Sequence, residues 1–131
     1  MSVSRTGSGS GGGGGGALEV RLTPSQLELL RRSTEAFGAL VPDPEQRRFV
    51  LGEAGADLVA LFDVEHEPNH SLTLSATDAQ LRAAHALLTT LLAIVPSERA
   101  FMERVGFFRE NVAGVATGLR RGVGAAAEPA E

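Results

Sequence analysis

Apolar and polar residues alternate at Leu18-Glu19-Val20-Arg21-Leu22 and again at Leu72-Thr73-Leu74-Ser75-Ala76. A period of two places every second side chain on one face, which predicts two half-buried strands. After each strand the period changes to three and four. Leu27, Leu30, Thr34, Phe37 and Val41 form one apolar stripe of an amphipathic helix. Leu81, Ala84, Leu87, Leu88, Leu91, Leu92 and Val95 leave little polar face, so this second long helix is expected at the centre, covered on more than one side. Farther on, Phe101, Val105, Phe108, Val112, Val115 and Leu119 alternate spacings of four and three, a heptad-like seam. A seam shorter than three heptads suits packing within a domain; a dimer seam is the alternative.

The helix boundaries are written in the punctuation. Thr23-Pro-Ser-Gln26 and Thr77-Asp-Ala-Gln80 both fit a capping box, in which the Thr hydroxyl accepts from the third helical amide and the Gln side chain reaches back. Pro24 and Asp78 suit a first turn, one by its fixed φ and the other by its charge against the helix dipole. Val41-Pro42 and Val95-Pro96 should end these helices, because a residue before Pro avoids the α region. New caps follow at Asp43-Pro44 and Ser97-Glu98. Helices are predicted near 24–40, 44–63, 78–95 and 98–121.

These features share one offset of 54 residues, and residues 18–65 align with 72–119 without a gap and with eight identities. The count is weak, but the matches fall on caps and turns, where structure is decided. The expected fold is therefore α+β and predominantly helical: a tandem duplication of strand-helix-helix units, (βαα)2, with a small two-stranded sheet and four helices. Residues 18–122 are expected as one globular domain. The Gly/Ser-rich stretch within 1–17 is expected as a flexible tail, and 123–131 as a second one. Gly114, Gly118 and Gly122 line a ridge beside the seam. Each interior Gly costs ~0.5–1 kcal/mol relative to Ala, so close helix contact is the expected compensation. The two strands are expected to pair within the chain, or to join those of a second subunit in a homodimer.

Composition narrows the classes. The chain of 131 residues has a net charge of −4 and no Cys, so it holds neither a disulfide framework nor a thiolate metal site. The acidic balance gives no electrostatic reason for nucleic acid, and the absence of Lys, Trp and Tyr weakens it further. All twelve basic residues are Arg and there is one Ile, the bias of a GC-rich bacterial genome. The most apolar run, residues 83–95, is shorter than the ~20 residues a spanning helix needs. The N-terminus lacks an apolar signal core, and a cytoplasmic location is expected.

Candidate chemistry is sparse. Asp63, Glu65, His66, Glu67 and His70 in FDVEHEPNH offer oxygen and imidazole ligands for a divalent metal such as Zn²⁺ or Mn²⁺. Pro68-Asn69 lies between the two His residues and breaks the helix that would align them, so a solvated acidic loop between halves is the competing reading. His85 sits one residue from the apolar stripe and reads as a boundary residue. The pairs Arg31-Arg32, Arg47-Arg48 and Arg120-Arg121 have Glu28, Glu35, Asp43 and Glu45 nearby, which suits solvated helix faces. There is no HExxH, no GxSxG and no GK[ST] after the Gly run, so no catalytic residue and no cofactor is assigned.

The expected function is a non-enzymatic protein–protein interaction or regulatory module. Phe107, Met102 and Val123 are the candidate contact surface. The alternative is a metal- or small-ligand-binding protein using residues 63–70. No motif points to a particular family.

Overall fold

The computed structural model describes residues 1–5 and 17–127. Two short strands, β1 (Ser2–Arg5) and β2 (Leu18–Leu22), precede helices α1 (Pro24–Leu40) and α2 (Pro44–Leu51). A 3₁₀ turn (Glu53–Asp57) leads into α3 (Leu58–Phe62), then β3 (Leu72–Ala76), α4 (Asp78–Ile94), α5 (Glu98–Val105) and α6 (Arg109–Ala127). The described residues are mostly helical, with six helices and one antiparallel sheet of order β1-β2-β3.

The two capping boxes form as their sequences require. Thr23 Oγ1 accepts from the Gln26 amide at 3.1 Å, and Gln26 Oε1 accepts from the Thr23 amide at 3.0 Å. Thr77 and Gln80 repeat the arrangement at 3.1 and 2.9 Å. The helices end alike too: Val41 has φ −125° and ψ 75°, and Val95 has φ −123° and ψ 79°, both outside the α region ahead of a Pro. Asp43 and Ser97 then cap helices of eight residues each.

β2 and β3 pair within the chain, with Val20 opposite Leu74, Leu18 opposite Ala76 and Leu22 opposite Leu72. This register maps onto itself when β2 is shifted forward and β3 back by the 54-residue offset. Leu18, Val20, Leu22, Leu74 and Ala76 face the core, whereas Glu19, Arg21, Thr73 and Ser75 face solvent, as in an antiparallel sheet covered on one side. α4 is the central helix, packed by α6 and by α1, α2, the 3₁₀ turn and α3. Its Leu81, Leu87, Leu88 and Leu91 are buried.

Four expectations are corrected. First, the sheet has three strands, because Ser2–Arg5 lie on the edge of β2 with Val3 opposite Val20. The predicted tail over 1–17 thus begins with a strand, and its residues 6–16 lie outside the described residues. Second, the helices predicted over 44–63 and 98–121 are both broken. Gly52 (φ 78°, ψ 180°) and Gly106 (φ 83°, ψ 10°) terminate α2 and α5 in backbone regions that side chains rarely tolerate. Each glycine amide still donates to the helix it ends, to Arg48 O and Met102 O, both at 2.8 Å.

Third, the seam does not run straight through. Phe108 falls in the link before α6 and is 56% exposed, while Phe101, Val105, Val112, Val115 and Leu119 are buried. Fourth, α6 extends to Ala127 and Val123 belongs to the core, so the helix does not fray at 122. Gly118 and Gly122 of the glycine ridge face the N-terminal segment rather than a helix. A Cβ added at Gly122 would lie 2.6 Å from Val3 Cγ2, and one at Gly118 would lie 3.7 Å from Met1 Sδ. Only a bare backbone at Gly122 lets this strand approach α6, and Arg5 Nε completes the seat by donating to Ala126 O.

One buried polar atom is left over. Ser33, on α1, is fully buried and its Oγ has no hydrogen-bond partner among the described residues. Leu87, at the corresponding place on α4, is also buried. An orphaned buried hydroxyl costs ~1–3 kcal/mol. Ser33→Ala is therefore expected to stabilise the protein by about 1 kcal/mol, read as a higher denaturant midpoint at unchanged slope. A lower midpoint would show that the hydroxyl has a partner in solution.

Candidate functional site

The acidic and histidine cluster is placed on the connection between α3 and β3. Asp63, Glu65, Glu67 and His70 are exposed, and His66 is half-buried. A turn at Pro68-Asn69, with Asn69 at φ 66°, separates the two histidines. Asp63 faces Arg31 at 3.7 Å and His70 faces Glu67 at 3.9 Å, both at exposed positions. Among the described residues, no group of three or more His, Asp or Glu side chains is placed to hold a metal ion. His85 is half-buried on α4.

Arg31 and Arg32 both lie against Glu28, at 3.7 and 3.1 Å. Arg48 faces Glu53 at 3.5 Å. Such exposed pairs contribute ~0–1 kcal/mol each. Arg47 does something different: its Nη1 donates to the carbonyls of Val41 and Pro42, both at 3.1 Å, and so closes the C-terminus of α1. Its other N–H groups have no partner among the described residues, and no carboxylate pairs with it.

Arg47 also lines a cavity of about 380 Å³, open to solvent, bordered by α1, α2, the 3₁₀ turn, α3 and α4. Phe37, Leu51 and Leu87 supply a buried apolar wall. Arg48, Glu35, Glu53 and Val59 supply an exposed rim. Gly38, on α1, opens the space from one side, and a Cβ added there would meet nothing within 4 Å. Thr34 contributes a methyl surface, because its hydroxyl is satisfied by Leu30 O at 2.7 Å.

The same segment carries three of the largest exposed apolar side chains: Phe49 (92% exposed) and Val50 on α2, and Val59 (65%) on α3. Phe49 does not line the cavity. The contact surface expected from the sequence is different: Val123 is core, and Phe107 and Met102 are half-buried. The sequence carried one usable signal for the observed face. At the offset of 54, Phe49 and Val50 correspond to Glu103 and Arg104, both exposed. An eight-residue helix in the same setting is thus solvated by charges in one half and left apolar in the other.

Comparison with known protein families, with curated proteins and with solved structures finds no significant match. No described helix is long and apolar enough to cross a membrane.

Proposed function

We propose that the chain is a non-enzymatic protein interaction module, built by duplication of a strand-helix-helix unit, that docks a protein partner on its α2–α3 face. The single observation that carries this reading is Phe49, an aromatic ring left 92% exposed in the middle of a helix. Burying a Phe side chain is worth ~1.5–3 kcal/mol, and aromatic anchors dominate the energetics of interfaces. Glu103 at the corresponding place supports it, because the local fold imposes no apolar residue there. A second copy of the chain is one partner such a face would accept, and a homodimer is the corresponding form of this reading. A cytoplasmic setting belongs to the same reading.

The test compares the full chain with its Phe49→Glu variant in retention of proteins from extract and in sedimentation velocity. A substitution at so exposed a site should shift stability by no more than ~0.5 kcal/mol. The expected result is loss of a stoichiometric partner, or of the dimer, at unchanged melting temperature. An identical set of retained proteins and an identical sedimentation profile would overturn the assignment of this face.

A further inference from the structure

The cavity is lined at positions where the two halves of the chain differ, and this difference suggests what it holds. α1 and α4 are each 17 residues long, and α2 and α5 each eight, at the common offset of 54. Where α4 and α5 carry Leu92, Phe101 and Met102, α1 and α2 carry Gly38, Arg47 and Arg48. In the second half Phe101 is fully buried and Leu92 packs against the core. In the first half a glycine stands at the place of that leucine, and an arginine at the place of the buried ring. The arrangement of helices can fill this space with hydrocarbon, and in one half it does so.

We propose that the cavity is a binding site for a small organic acid with an apolar body. The hydrocarbon part lies against Phe37, Leu51 and Leu87, and the carboxylate meets Arg47. The volume of about 380 Å³ falls at the lower end of the ~300–1,000 Å³ usual for ligand pockets. Arg47 is preorganised for the anion, since two backbone carbonyls hold its Nη1 and leave its remaining donors free. Among the described residues no acidic side chain pairs with it. Glu53 on the rim already faces Arg48, and Glu35 is exposed. The selection of an anion therefore rests on Arg47, while Arg48 contributes through an exposed pair that is easily exchanged.

The experiment titrates the full chain with octanoate and, as a neutral control of equal chain length, with 1-octanol, followed by calorimetry. Octanoate is expected to bind at least about tenfold more tightly than the alcohol, a difference of about 1.4 kcal/mol. Gly38→Leu and Thr34→Leu each import the residue that the second half carries at that place. Each should fill the cavity, leave the melting temperature equal or higher, and weaken octanoate at least about tenfold. Arg47→Gln should reduce octanoate to the level of octanol. Absence of octanoate binding, equal affinity for acid and alcohol, or undiminished binding in both folded filling variants would each overturn the proposal. Phe49→Glu should leave octanoate binding intact and Gly38→Leu should leave the protein partner retained, so failure here and failure of the docking face are told apart.

Discussion

Replacing Phe101 by Ala is expected to destabilise the protein by about 3–5 kcal/mol, the range for removing a buried aromatic ring from a packed core. Phe101 is fully buried and is one of only two buried residues on α5, the other being Val105. Without the ring this short helix loses most of its hold on the core. The ring is also the platform for Arg109, whose guanidinium carbon lies 5.4 Å from the ring centroid, a cation–π geometry. The check is chemical denaturation of the variant beside Phe49→Ala, which should change stability by no more than about 0.5 kcal/mol because Phe49 is almost wholly exposed. Similar losses in the two variants would contradict the placement of α5.

Arg109→Met is expected to cost about 2–3 kcal/mol, the sum of charge-assisted hydrogen bonds lost and partly buried carbonyls left unpaired. Arg109 Nη1 donates to Leu92 O at 2.8 Å and to Val95 O, closing the C-terminus of α4. Its positive charge is also favourable at that end of the helix dipole. Its backbone amide donates to Glu98 Oε2 at 3.0 Å, so α5 supplies the acceptor at the start of α6. The substitution keeps the aliphatic stem and removes only the guanidinium. Faster amide exchange should appear in the loop after α4 and the first turn of α6, together with a lower denaturant midpoint. A stability change below about 0.5 kcal/mol would show that water replaces the guanidinium at those carbonyls without loss.

Arg47 and Arg109 solve the same problem by different routes, and they show where sequence reading stopped. The carbonyls at the end of a helix need donors, and the shared Val-Pro sequence announces the ends of both α1 and α4. Which donor comes is not local. Arg47 reaches back from the next helix, whereas Arg109 comes from 14 residues beyond Val95. The pair Arg47-Arg48 was legible as a charged helix face, which holds for Arg48 and misses the role of Arg47. Arg109 carried no local signal at all.

The candidate site was the least legible part. FDVEHEPNH attracts notice because ligand-type residues cluster in sequence, yet the turn at Asn69 keeps the segment open. The cavity has no motif, since its wall draws Phe37, Leu51 and Leu87 from three helices. Its trace in the sequence is a contrast at the offset of 54, Gly38 against Leu92 and Arg47 against Phe101, which matters only once α1–α2 and α4–α5 are seen to share their lengths and caps. Phe49 and Phe101 lie on equally short helices; Phe101 is marked as inside by its step of four to Val105, whereas nothing within α2 states that Phe49 is outside.

By itself the sequence determined the strands at 18–22 and 72–76, both capping boxes, the Val-Pro stops and the central place of α4. Each depends on hydrogen bonds or side-chain periodicity within about seven residues, so neighbouring residues suffice to specify it. The tertiary structure decided the rest. It added β1, because pairing with the edge of β2 and a seat on Gly122 are long-range events. It broke both second helices, because Gly52 and Gly106 yield their helical conformation only when packing beyond them demands a change of direction. It also chose which half would fill its interior with Phe101 and which would leave a cavity beside Arg47, since a cavity belongs to the space between helices and to no single segment of the chain.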